Sequence, residues 1–134
     1  MARIDELNHI DVKQATKLRK AGIRTTEALL KRAGTRAGRD ELAEATGIAA
    51  EMIWAWVSRA DLMRVRGVGS EYAELLEACG VSTIRDLRRR NGRALLARMV
   101  ALNDGHRRVR RLPTESMVVG WIEAAQKLEF AGRP

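Results

Sequence analysis

Cysteine occurs once in this chain of 134 residues, at position 79, and histidine only twice, at positions 9 and 106. A single thiol excludes an intramolecular disulfide and fits a reducing compartment, so the expected location is cytoplasmic. Cys79 itself is read as a small filler of the core. The two histidines lie far apart and no cluster of partner ligands is nearby in sequence, so no metal is expected, and His9 is read as a turn residue. Proline appears twice and aromatic residues make up only 4% of the chain. That scarcity, set against an abundance of Ala, Leu, Arg and Glu, favours helix over sheet. There is no run of about 18 apolar residues to cross a bilayer, and the opening MARIDELNHID places acids where a signal peptide needs an apolar core. No membrane partner is expected. A Gly-rich loop of the Walker type is also missing. Asp40 and Glu44 share a helix face, but an i,i+4 pair of this kind is ordinarily a solvated one. The chain is therefore read as no enzyme, with no cofactor.

Cationic charge is plentiful. The formal net charge is +8 and the isoelectric point is about 10.7, a balance that suits polyanions or acidic protein surfaces. It is unevenly spread. Residues 1–61 carry 11 Lys/Arg against 9 Asp/Glu, a net of +2, whereas residues 62–134 carry 14 against 8, a net of +6. Of those 14 cations 13 are arginines, the side chain whose fork matches phosphate and carboxylate.

Sliding the chain against itself by 58 positions aligns Ile4, Leu7 and Ile10 with Leu62, Val65 and Val68. The same shift aligns Ala15, Leu18, Gly22, Ile23, Thr25 and Leu29 with Ala73, Leu76, Gly80, Val81, Thr83 and Leu87. Agreement at apolar and turn positions predicts duplication of one supersecondary unit. The expected architecture is all-α, with about eight short helices in two related halves, 1–61 and 62–134.

The stretch with the most specific chemistry is Leu62 to Leu87, LMRVRGVGSEYAELLEACGVSTIRDL. Leu62 and Val65 close one helix on its apolar side, Gly67-Val68-Gly69 turns the chain, and a second helix runs from about Ser70 to Cys79, stopped by Gly80. A glycine at each end of the turn supplies backbone conformations costly for other residues, and leaves no Cβ to keep a phosphate from the amides. The N–H groups of Gly69 and Ser70, at the positive end of the helix, then form a small anion site, with Val68 pointing inward as a peg. A plain Gly-rich connector between packed helices is the alternative account. In the first half the corresponding residues are His9 and Asp11, which are expected to remove the glycine freedom and to put a carboxylate where an anion would sit.

Thr83 with Asp86 fits a capping box, and Thr25, with Ala28 three residues on, is expected to be its weaker equivalent. A short helix over 38–46 ended by Gly47, and a longer one over 49–58, follow in the first half. In the latter, Ile48, Met52, Ile53, Trp56 and Val57 trace a core face. Trp54 lies off that face and either packs on the neighbouring half or stays exposed as a docking ring. The second half ends with a helix capped by Asn91, carrying Leu95, Leu96, Met99, Val100 and Leu102 and fading at Asn103-Asp104-Gly105. A basic link, 106–111, then leads to a last helix over 114–128 with Val118, Trp121, Ile122 and Ala125 buried.

Residues 62–128 resemble the family known as domain of unknown function number 4332, through Val65, Gly67-Val68-Gly69, Tyr72-Ala73, Leu76, Gly80-Val81, Leu87, Asn91, Asn103, Val109-Arg110-Arg111-Leu112-Pro113 and Trp121-Ile122. The resemblance implies hairpin-linked helices. The turn also resembles the helix-hairpin-helix of DNA-repair and recombination proteins, where it grips the DNA backbone. Those copies commonly place a basic residue just after the turn, where this chain has Glu71.

The function expected is a non-catalytic nucleic-acid-binding module that holds the phosphate backbone without base preference. Its contact set is Arg64, Arg66, Gly67, Val68, Gly69, Ser70, Arg88, Arg89, Arg90, Arg107, Arg108, Arg110 and Arg111, and its partner duplex DNA or structured RNA. The bland account of the run at 88–90 is a solvated helix face. The alternative function is a protein-interaction module that docks an acidic protein through Trp54 or Tyr72 rimmed by arginine.

Overall fold

A computed structural model describes residues 2–7, 9–106, 109 and 111–128. Among them the chain forms eight α-helices and no strand, apart from a single antiparallel bridge between Arg3 and Thr25. Two compact units divide it, the first running to Asp61 and the second beginning at Leu62.

In the first unit a 3-10 turn, Ile4–Glu6, precedes α1 (Val12–Lys20), α2 (Thr26–Ala33), α3 (Arg36–Thr46) and α4 (Ala50–Leu62). Each of the first three α-helices starts at a side chain that satisfies an otherwise open amide. The Asp11 carboxylate accepts from the Gln14 amide at 2.7 Å while the Gln14 side chain accepts from the Asp11 amide. Thr25 Oγ1 accepts from the Ala28 amide and Thr35 Oγ1 from the Gly38 amide. Gly47, at φ +75°, ends α3. Thr35 places the start of α3 two residues earlier than expected, and α4 runs four residues past its expected end at Ser58. Ile4, Leu18, Leu29, Leu42, Ile53, Trp56 and Val57 are buried, but Met52 is 41% exposed, so the apolar stripe of α4 is wider than the part that is covered.

In the second unit α5 (Ser70–Ala78), α6 (Ile84–Leu87), α7 (Gly92–His106) and α8 (Glu115–Lys127) enclose one core. That core includes Leu62, Val65, Val68, Leu76, Cys79, Leu87, Leu95, Met99, Val109, Val118 and Trp121. α8 packs on α6 and α7, and α5 on α7. A Cβ at Gly92 would lie 2.7 Å from Val119 Cγ2, so glycine is what lets α7 start this close to α8. Leu95 and Met99 of α7 are buried, whereas Val100 is 43% exposed. Helix α7 runs to His106, one residue past the stretch 103–105 over which it was expected to fade, and the Asn103 side chain accepts from the Val109 amide at 3.0 Å.

Local geometry recurs at positions 58 apart. The Ile23 amide donates to Leu18 and the Val81 amide to Leu76, both at 2.9 Å, and Gly22 and Gly80 take φ +90° and +86°. The caps differ. Thr83 makes no side-chain cap hydrogen bond, and Asp86 instead accepts from the Ser82 amide, whereas Thr25 does cap α2. This reverses the expected order of the two threonines: Asp86 turns back to the amide just before Thr83, and Thr83 itself is buried at 5% exposure.

Candidate nucleic-acid interface

Between Leu62 and Ser70 the chain makes two tight backbone bonds, Val65 amide to Leu62 carbonyl and Val68 amide to Val65 carbonyl, both 3.0 Å. Val68 is the inward peg, 4% exposed, while Gly67 and Gly69 on either side are exposed. Only one of these glycines is required by conformation. Gly67 sits at φ +92°, and a Cβ on it would stand 3.2 Å from Trp121 Nε1. Gly69 sits at φ −90° and ψ −174°, extended backbone open to any residue, with nothing within 4 Å of a Cβ. Its importance is positional. Gly69 is the N-cap of α5 and offers no side-chain hydrogen bond to the first-turn amides.

The first unit matches the backbone of this turn at two positions with other residues. His9 takes φ +64°, so it does not remove the left-handed conformation as expected; it adopts it. Histidine is among the residues that tolerate this region better than most. Asp11, at φ −86° and ψ 170°, occupies the N-cap position of Gly69 and fills the amide site with its own carboxylate. At the helix start the difference is Asp11 against Gly69: one start is closed by an acid and the other has no side-chain cap.

The surrounding cations fall into groups. Arg64, half-buried, and Arg66, exposed, flank the turn in sequence. Ser70, half-buried, opens α5, and Glu71, exposed in the same first turn, is a local counter-charge. Arg111 is exposed, and its carbonyl accepts from the Tyr72 hydroxyl at 2.6 Å, which holds the α7–α8 connection against the first turn of α5. The Tyr72 ring in turn lies 5.1 Å from that of Trp121. Turn, α5 start, Trp121 and Arg111 thus form one continuous group. Arg88 and Arg90 are placed elsewhere. Arg90 donates to the Gly80 carbonyl at 3.0 Å, at the opposite end of α5, roughly 16 Å along the helix axis from Gly69. Arg88 donates to the Gln126 carbonyl at 2.8 Å on the last turn of α8, and Gln126 Nε2 returns a bond to the Arg88 carbonyl. Arg89 is exposed between them. Arg107, Arg108 and Arg110 lie outside the described residues.

Sequence reasoning did not find the roles of Tyr72, Asn103 and Trp121, although all three are among the residues that carry the family resemblance. It also missed Arg39. This buried guanidinium donates to the Ala33 and Gly34 carbonyls at 3.2 and 3.1 Å, closing the end of α2, and stacks 4.5 Å from the centre of the Trp54 ring. Desolvation pushes its pKa below the usual arginine value; Asp40 opposes that shift and Arg36 adds to it. Trp54 is half-buried against Arg39 and Tyr72 is half-buried against Trp121, so both rings named for protein docking are engaged within their own units.

The first unit holds a cavity of about 350 Å³ lined by Asp5, Ile10, Asp11, Val12, Ala15 and Arg19. Asp5 there pairs with Arg19 at 3.2 Å and with Arg3 at 3.4 Å, and Asp11 caps α1, so both carboxylates are engaged. Among the described residues no three or more His, Cys, Asp or Glu side chains gather as a metal site would need, and no helix is long and apolar enough to cross a membrane.

Residues 8–128 match the family described as a domain of unknown function (DUF4332). The match starts 54 residues before the stretch that carried the resemblance, so it takes in the first unit as well. No curated protein and no solved structure matches the chain.

Proposed function

This chain belongs to the DUF4332 family, and we propose that it is a non-catalytic module that holds the phosphate backbone of duplex nucleic acid, built as tandem helix-hairpin-helix units. One observation carries the reading. Of two helix starts whose N-cap residues share nearly the same backbone angles, the first is closed by the Asp11 carboxylate, while α5 starts behind Gly69, which makes no side-chain cap hydrogen bond and has open space where a Cβ would stand. A phosphodiester oxygen would take the role that Asp11 plays in the first unit, with Arg64, Arg66 and Arg111 supplying charge around it. Arg88 and Arg90 serve mainly as caps of helix ends on this account, and Glu71 moderates the affinity.

Contacts of this kind carry no base information, so affinity should be independent of sequence. The module would work in the cytoplasm, where Cys79 stays reduced. The test is titration of a random-sequence duplex with the parent protein, Gly69→Asp and Arg93→Ala. If the α5 start is the contact, Gly69→Asp weakens binding far more than removal of the exposed charge at Arg93. Equal losses would show a diffuse basic surface instead.

A further inference from the structure

We propose that Leu112 is a wedge that enters a weakened base step beside the phosphate held at α5, so that the protein prefers kinked or mismatched duplex to regular duplex. The inference rests on the phosphate-contact reading above and adds the feature of the nucleic acid that is recognised.

A single exposed leucine is ordinary and by itself says nothing. The setting of Leu112 is what singles it out. Helix α8 begins at the N-cap Thr114, whose hydroxyl accepts from the Met117 amide at 3.1 Å. The residue before that cap, Pro113, is buried, as is Val118 in the first turns of the helix; these are the two positions of a hydrophobic staple. With Pro113 taken inward, Leu112 is left 37% exposed one residue further out. Its backbone is held on both sides. The Arg111 carbonyl is fixed by the Tyr72 hydroxyl at 2.6 Å, and Pro113 is locked by its ring and by burial. The side chain is therefore presented on a stiff segment, so little ordering remains to be lost on insertion.

Its location matches that use. Tyr72 is the third residue of α5, and its ring contacts Trp121, the same side chain that lies under Gly67. The leucine thus stands at the end of α5 that carries the proposed phosphate contact, with the exposed Arg111 beside it. Apolar wedges flanked by arginine part base steps from the minor groove and bend the duplex, and the cost falls where a mismatch has already weakened the stack. Glu115, in the first turn of α8, and Glu71, in that of α5, are the acids of the two helix starts.

The experiment compares one duplex, fully paired or carrying a single central mismatch, as end-labelled probes for the parent and for Leu112→Ala, with circular dichroism confirming the fold of the variant. The parent is expected to bind the mismatched duplex about tenfold more tightly, and to bring its labelled ends closer together. Leu112→Ala should bind both duplexes as the parent binds the paired one. Equal binding of both by the parent, or a preference that survives in Leu112→Ala, would overturn the wedge and leave the phosphate contact standing. Binding of neither duplex would overturn both.

Discussion

Gly69→Asp should make this protein more stable while it abolishes the function proposed for it. The residue lies at φ −90° and ψ −174°, close to the φ −86° and ψ 170° at which Asp11 caps α1, and no atom lies within 4 Å of an added Cβ. Replacing glycine where the backbone suits other residues gains roughly 0.4–1 kcal/mol by restricting the unfolded chain. Exchanging a glycine N-cap for aspartate adds a few tenths of a kcal/mol, since the carboxylate can accept from the Tyr72 amide as that of Asp11 accepts from Gln14 at 2.7 Å. Repulsion from Glu71, in the same first turn, offsets part of this. The net expectation is a gain of about 0.5–1 kcal/mol, read from urea unfolding as a higher midpoint at unchanged slope. A lower midpoint would show that the start of α5 is not an open cap and would remove the basis for an anion there. Stability up and duplex affinity down in one variant is a combination that general damage to the fold cannot produce.

Other substitutions test the packing. Leu76→Ala empties a site with no exposure and should cost about 2–5 kcal/mol in equilibrium unfolding; a loss under about 0.5 kcal/mol would contradict its place in the core. Gly67→Ala forces a Cβ into φ +92° and against Trp121 Nε1 and should cost about 1–2 kcal/mol, whereas Gly120→Ala, in open space on α8, should gain about 0.5–1 kcal/mol. Arg39→Met strips the Ala33 and Gly34 carbonyls of their donor and should lower stability by about 1–3 kcal/mol, with a change in tryptophan emission as the guanidinium leaves the Trp54 ring.

Much of the fold was legible because the apolar and turn residues follow helical spacing and a 58-residue offset, and local hydrogen bonds impose both. Gly22 and Gly80 end their helices in the left-handed region with the same bonds, a constraint that glycine announces in sequence. What failed was set by tertiary contacts. Asp86 looked like half of a capping box but turns to Ser82, and nothing local to Asn103 announces that its side chain holds Val109. Met52 fits its stripe, yet the neighbouring elements do not extend over it. At the candidate site the turn was readable, since Gly-Val-Gly needs only local geometry. The separation of Arg90 from Arg111 was not, because a run of arginines carries no sign of which ones fold back onto carbonyls at helix ends. Arg39 was hidden for the same reason: Arg39-Asp40-Glu41 has the charge pattern of a solvated helix, and its burial depends on Trp54 and the end of α2.

The central claim is a phosphate contact at a small, defined site, and the salt dependence of binding to a random-sequence duplex tests it most directly. Fluorescence anisotropy from about 50 to 200 mM salt should give measurable affinity at the low end and a log–log slope of about −3, as expected for three neutralised phosphates around Arg64, Arg66 and Arg111. The slope should not change when the duplex sequence is shuffled. Absence of binding at about 50 mM salt, where phosphate contacts are stronger than at physiological salt, would contradict the account and leave an acidic protein surface as the partner to seek.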